Sequence, residues 1–446
     1  RLMGGSAATR AFAAELTWTG ERFEPGGVVR VGGDGRIAGV ERAGEAGAGG
    51  EAGAGVEVER LPGKALLPGF VNAHSHAFQR GLRGRGETFP EGAGSFWTWR
   101  EAMYGLVESL DRERFRALCL RAFREMRSAG ITTVGEFHYL HHETQDADWA
   151  FDEALLEAAA EAGIRLVLLQ TCYRQGGPGR PLEGAQRRFR SESAEAFVGQ
   201  LDRLAGLLDP RLQSLGLVAH SLRAVPPDEV AELWAEAERR DLPFHMHVEE
   251  QVREIVECAA AYGRRPMELL LERLPLSPRF TAVHVTHTDR ADLARFAAAG
   301  AHACLCPLTE ANLGDGVPDL PALLAAGGRV CLGTDSNARI SMLEEARWLE
   351  LAQRLARERR GVLRDETGRV ATPLLRAATE NGASALGVET GAIRPGAWAD
   401  LVAIDLQHPE LEGWTEDTLL ESIFLGAGNR VIAGTCVGGS WEWQGG

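Results

Sequence analysis

The chain has 446 residues, of which 44% are hydrophobic and 25% charged, a balance that allows a sizeable core and excludes disorder over most of its length. A formal charge of −15 and an isoelectric point near 5.4 leave no average basic surface to neutralise phosphates, which argues against a general nucleic-acid binder. No apolar stretch reaches the roughly 18 residues of a membrane span, and no basic segment with an apolar core opens the chain, so no membrane partner and a cytoplasmic location are expected.

Taken in chain order, residues 5–67 read as short β pieces at 16–18, 28–31, 37–40 and 56–61, separated by glycine-rich turns. The stretch 44–55, almost all Gly, Ala and Glu, reads as a loop tip, and Arg1 and Leu2 precede Met3. From about residue 66 short apolar runs alternate with helical stretches rich in Ala, Leu, Glu and Arg. The runs fall at 66–71, 131–137, 166–171, 215–219, 243–248, 280–283, 303–306 and 329–333. Strands buried on both faces are continuously apolar, so these eight runs fit a closed parallel barrel, although an open doubly wound sheet shares the same alternation. β character returns at 401–406, 430–437 and 440–443. The economical organisation is an α/β chain: a (β/α)8 TIM-type barrel over 68–393, flanked by a small β-sandwich made from 1–67 and 394–446. The seven cysteines form no CxxC pair and are expected to be reduced core thiols.

The polar residues able to do chemistry stand at the C-terminal ends of the runs, where the catalytic face of a parallel barrel lies. Asn72-Ala73-His74-Ser75-His76 follows the first run; the fifth contains His245 and His247, with Glu250 beyond; His284 follows the sixth and Asp335 the eighth. Imidazoles two apart in an extended segment point to one side, so His74 and His76 can hold a metal together. By spacing alone His245 would serve as well as His247. Three imidazoles and a carboxylate suit Zn2+ with a position left for water, and ligand type does not separate Zn2+ from Fe2+ or Mn2+.

The segments PGFVNAHSHAFQR, HVEEQ, VHVTH, LGTDSN and GAIRPGAWADLVAIDL together resemble the amidohydrolase superfamily over nearly the whole chain. The resemblance implies a (β/α)8 barrel with a flanking β-sandwich, and His74, His76, His247 and Asp335 as metal ligands. His247 is preferred to His245 because it stands three residues before Glu250, the HxxE arrangement of the deaminase branch. Many superfamily members hold two metals bridged by a carboxylated lysine on the fourth strand. Here the only lysine is Lys64, ahead of the histidine pair, and the fourth run ends at His220, so one metal per subunit is expected. The resemblance also implies Glu250 as the proton carrier between water and the departing nitrogen, His284 as the group that polarises the water, and Asp335 as both ligand and proton acceptor. His287 is read as structural.

NAHSHAFQRGLRGRGE followed by SFWTWREAMY is similar to the N-formimino-L-glutamate deiminases of histidine degradation. An excursion of about thirty residues between the first strand and its helix, with aromatic residues and arginine, reads as a lid over the barrel mouth. The resemblance implies Arg100 and Arg223 as carboxylate clamps, with Gln79, Tyr139 and His220 as further contacts to a small dicarboxylate substrate. The expected reaction is hydrolytic loss of ammonia from N-formimino-L-glutamate, and a homodimer is expected from the family and the long excursion. The nearest alternative is a mononuclear deaminase of a purine, pyrimidine or adenosine-like ring, which has less need of paired arginines. A metal-free barrel kept for binding or assembly is the third reading, opposed by the complete ligand set.

Overall fold

The computed structural model describes residues 8–41, 56–89, 96–146 and 148–445; the 44–55 stretch and Arg1 and Leu2 lie outside them. Strands β1 (Ala8–Trp18), β2 (Phe23–Pro25), β3 (Val28–Gly32), β4 (Ile37–Glu41) and β5 (Glu57–Pro68) come first. They are followed by β6 (Phe70–Ser75), β7 (Ile131–His138), β8 (Arg165–Cys172), β9 (Gln213–Ala219), β10 (Phe244–Val248), β11 (Phe280–His284), β12 (His302–Leu305) and β13 (Arg329–Leu332). The chain ends in β14 (Leu401–Asp405), β15 (Ile432–Val437) and β16 (Ser440–Trp443).

From β6 to β13 each strand pairs in parallel with the next. The ring closes through a parallel bridge between Ser75 and Asp335, with the Asp335 N–H donating to the His74 carbonyl at 3.0 Å and the His76 N–H to the Asp335 carbonyl at 2.9 Å. The result is a (β/α)8 barrel. Burial on both faces explains the apolar runs: every residue of β8 is buried, including the continuous stretch Leu166 to Leu169.

The surrounding helices follow the complementary logic. Helix Pro227–Arg240 starts with Pro227, Asp228 and Glu229, ends with Arg239 and Arg240, and buries Val230, Leu233, Trp234 and Ala237 along one stripe. Helix Glu380–Ala385 closes the floor: the Asn381 amide donates to the Val330 carbonyl at 2.7 Å, and Gly382 presses on Val71 so closely that a Cβ there would lie 3.0 Å from the valine side chain.

The remaining strands form a β-sandwich with its own core of Phe12, Val29, Val31, Ile37, Leu66 and Leu401. Both chain ends build it: β5 pairs in parallel with β1 on one side and antiparallel with β14 on the other. It is tied to the barrel by continuity of β5 through Gly69 into β6, and by a buried bidentate pair in which Arg165 Nε and Nη2 reach Asp400 at 2.7 and 3.0 Å. All seven cysteines are buried and unpaired. No described helix is long and apolar enough to cross a membrane.

Candidate active site

Strand ends deliver the candidate groups to the barrel mouth. His74 lies near the end of β6 with His76 just past it, His247 lies in β10, and Asp335 follows β13. Nε2 of His74 and of His76 stand 3.5 and 3.4 Å from Asp335 Oδ1, and the ligating nitrogens of His74, His76 and His247 lie within 4.8 Å of one another. His245, left open by spacing, sits lower in the barrel with Nε2 at 3.0 Å from the Ala385 carbonyl of the floor helix. Close backbone approach shapes the group as well: a Cβ on Gly333 would meet His74 Cβ at 2.7 Å. Glu249, His284 and Asp335 hold left-handed backbone at φ 56°, 78° and 46°, a strained state for residues with side chains that clusters at functional sites.

The donor set fits a divalent cation. Both ring nitrogens of His74 are buried without a hydrogen-bond partner among the described residues. His76 Nδ1 lies 2.9 Å from the Phe137 carbonyl and His247 Nδ1 3.2 Å from the His220 carbonyl. Each carbonyl keeps the proton on Nδ1, leaving Nε2 free to ligate. Burial, reinforced by the neighbouring imidazoles, holds the rings of His76 and His247 neutral, with His76 drawn down to about 3. Burial lowers His74 too, against the pull of Asp335. For Asp335 burial works upward, yet His74, His284 and His76 hold its carboxyl well below the usual range.

A second group with metal-like spacing behaves differently. Asp152 Oδ1 is 2.9 Å from both His138 Nε2 and His141 Nδ1, while its Oδ2 accepts from Gln170 at 2.7 Å and Gln200 at 2.8 Å. Its acceptors are already used by the protein, so it is a buried hydrogen-bond network. At the mouth both ring nitrogens of His74 lack such partners among the described residues.

Glu250 follows β10, is buried, and places Oε1 3.9 Å from His284 Nε2. Burial raises its carboxyl, Asp335 adds to the rise, and His284 and Arg223 oppose it. His284 Nε2 also lies 3.6 Å from Asp335 Oδ2, and its Nδ1 3.2 Å from Glu310 Oε1. Burial alone would discharge this ring, but the carboxylates of Glu250, Glu310 and Asp335 outweigh it and push it up to about 10. A carboxyl raised by burial thus faces an imidazole raised by its carboxylate neighbours, a pairing suited to moving protons. His287 donates its backbone N–H to the Glu249 carbonyl at 3.1 Å.

Above these groups opens a pocket lined by all of the sequence-predicted substrate contacts: Gln79, Arg100, Tyr139, His220 and Arg223. Gln79 Nε2 donates to Tyr139 Oη at 2.8 Å, and His220 Nδ1 lies 3.1 Å from Ser221 Oγ. The excursion expected as a lid contributes helix Phe96–Ser109, whose Phe96, Trp99, Arg100, Met103 and Tyr104 form one wall at helical spacing. Arg100 stands against the rings of Trp97 and Tyr104, 5.4 and 5.2 Å from their centroids. Arg223 Nε is buried without a hydrogen-bond partner, and neither arginine has a carboxylate within ion-pair distance among the described residues. The buried Arg165 is by contrast fully matched by Asp400. Two unpaired guanidiniums in one pocket of an acidic protein call for an anionic ligand.

Sequence reasoning passed over Glu310, Glu254 and Glu136. Glu310 holds His284 and also accepts the Cys306 N–H at 2.9 Å; Glu136 accepts the Ala77 N–H at 2.5 Å. The available signal was an acid in the first turn of a helix following a strand, which Glu254 and Glu310 share with many solvated residues.

Residues 65–441 match the family model described as "Amidohydrolase family". The chain is 43% identical over 390 residues to a formimidoylglutamate deiminase of Pseudomonas aeruginosa, covering 86% of this chain and 85% of the relative. A 5-methylthioadenosine/S-adenosylhomocysteine deaminase of Natronomonas pharaonis is 29% identical, over 78% of this chain and 75% of its own. Among solved structures, an amidohydrolase from Brucella melitensis superposes with a TM-score of 0.86 at 34% identity, covering 98% of this chain and 95% of that one.

Proposed function

This chain belongs to the amidohydrolase family, and from that premise we propose that it hydrolyses N-formimino-L-glutamate to N-formyl-L-glutamate and ammonia. It is a metal-dependent hydrolase acting on a C–N bond. The observation that carries the substrate reading is the pair Arg100 and Arg223, unpaired in the same pocket as Glu250. The substrate has two carboxylates and one formamidine, and these groups answer to two guanidiniums and one proton-carrying carboxyl. The deiminase relative supports the same reading.

His74, His76, His247 and Asp335 would hold one divalent cation, taken as Zn2+, whose chemistry is to polarise the attacking water. Glu250 accepts one proton as the water oxygen adds to the formimino carbon and returns it to the nitrogen that leaves, while the second proton of that water passes to Asp335 and on to the same nitrogen, which departs as ammonia. The bond from carbon to that nitrogen breaks, ammonia departs, and the oxygen remains as the formyl carbonyl. His284, charged and fixed by Glu310, donates from Nε2 toward the oxygen being added. Arg223 and Arg100 grip the carboxylates through paired N–H donors, and Gln79, Tyr139 and His220 supply the neutral contacts around the chain between them. The wall made by helix Phe96–Ser109 limits access of bulk water to the site.

The test is ammonia release from N-formimino-L-glutamate by zinc-loaded protein, beside S-adenosylhomocysteine, guanine and cytosine, with products identified by mass. N-formyl-L-glutamate as the product supports the reading. Turnover of a ring substrate alone would overturn the assignment of the two arginines.

A further inference from the structure

The turn that presents Glu250 is held by a residue with no assigned part in the site. Past β10 the chain reverses: Glu249 takes left-handed backbone at φ 56° and points outward, its Oε1 accepting the Met267 N–H at 3.2 Å. Glu250, next in sequence, points inward to the pocket. Such a reversal leaves two adjacent backbone N–H groups without partners in the barrel sheet. Both are taken by Glu254: Oε1 accepts from Glu249 and Oε2 from Glu250, each at 3.2 Å. Glu254 is the third residue of helix Val252–Tyr262 and is buried, and its carboxyl reaches back past the N-cap Gln251 to the two amides that precede it. Gln251 fastens the other side of the turn by donating to Asp315.

We propose that Glu254 is a positioning residue for the proton carrier: by gripping both amides at once it fixes the direction in which Glu250 enters the pocket. A carboxylate does this with one oxygen for each amide, whereas the side-chain amide of Gln would turn an NH2 donor toward one of the two N–H groups. The inference rests on Glu250 being the proton carrier. The neighbours of Glu254 are charged as well: Arg223, Glu249 and Glu250 face it, and Cys258 lies on its own helix. Burial, opposed by Arg223, brings its carboxyl up to about 7, so the grip is strongest on the alkaline side of neutrality.

The experiment uses the zinc-loaded full chain and four proteins: wild type, E254Q, E250Q and the double variant. The expected result for E254Q is a fall in kcat of about ten- to a hundredfold with KM within about threefold of wild type, since a small misplacement of a reacting group acts on turnover and leaves the carboxylate grip intact. Full metal content and a retained melting transition accompany it. The double variant should be no slower than E250Q, because a holder has no effect once the group it holds is gone. If E254Q fails to fold, Glu254→Asp, with the charge kept and the arm shortened by one methylene, carries the same kcat-against-KM reading. Wild-type kcat in E254Q, or loss confined to KM, overturns the proposal while Glu250 keeps its role. Normal turnover in E250Q would instead overturn the reading on which it rests.

Discussion

His76 and Asp335 meet twice: the His76 amide donates to the Asp335 carbonyl at 2.9 Å, and the imidazole Nε2 lies 3.4 Å from the Asp335 carboxylate. The first contact closes the barrel between β6 and β13, and the second belongs to the proposed metal site. Barrel closure and metal binding therefore act on the same residues. We predict that chelation lowers Tm and that added Zn2+ restores it, by as much as about 4 kcal/mol of stability when free metal is a thousandfold above Kd. Calorimetry with and without chelator measures this, and identical transitions would break the link.

Glu250→Gln should keep metal and fold and lose turnover by about 10²–10⁴-fold, the usual range for a positioned acid–base group. Because burial raises the Glu250 carboxyl and the first step needs it ionised, wild-type kcat/KM should climb with pH through that raised ionisation and then level. Loss of this acid limb in E250Q, read from pH–rate profiles of metal-loaded protein, is the expected signature. An unchanged limb would assign it to another group.

Arg223→Ala should raise KM by about 10–100-fold, the loss of a charge-assisted pair of hydrogen bonds, with a smaller effect on kcat. Arg223→Lys should recover only part, since a point charge lacks the fork that meets a carboxylate in two parallel bonds. Steady-state kinetics on N-formimino-L-glutamate and inhibition by L-glutamate check both. Equal KM for wild type and R223A would remove this arginine from the site.

Stability carries its own pH signature at Glu136. Burial lifts its carboxyl from the ordinary 4.5 to about 8, against the hydrogen bonds from Ala77 and Ser75. Between those values the unfolded chain has released this proton and the folded chain has kept it. The unfolded state then binds fewer protons, and the contribution to stability falls as pH rises across the window. Glu136→Gln removes the penalty, so its Tm relative to wild type should improve between about pH 5 and pH 8. A constant offset measured by thermal unfolding would contradict the assignment.

Strand number was readable because a parallel strand covered on both faces leaves a short continuous apolar run, as Leu166 to Leu169 does inside β8. The closed ring was not readable from alternation; it depends on the bridge from Ser75 to Asp335, two residues far apart in sequence. The histidine pair announced itself by its spacing. His245 and His247 did not separate on residue pattern alone, because what distinguishes them is a floor carbonyl contributed by Ala385, beyond the last barrel strand. Arg100 and Arg223 were marked by resemblance, and only the pocket reveals that no carboxylate answers them among the described residues. The excursion after β6 was expected as a loop, but Met103, Leu106 and Val107 bury enough apolar surface to make part of it a helix.

The flanking sandwich sets an order in time. β5 has β1 beside it early in synthesis, but its other edge is covered by β14, more than three hundred residues later in the chain. A nascent chain can form the histidine pair of β6 long before Asp335 exists to close the ring, and the open edge of β5 must wait longer still. A product ending before Leu401 would present that edge, together with Leu66 and Ala65, to solvent. Truncation there should produce an aggregation-prone or protease-sensitive chain and not a smaller enzyme.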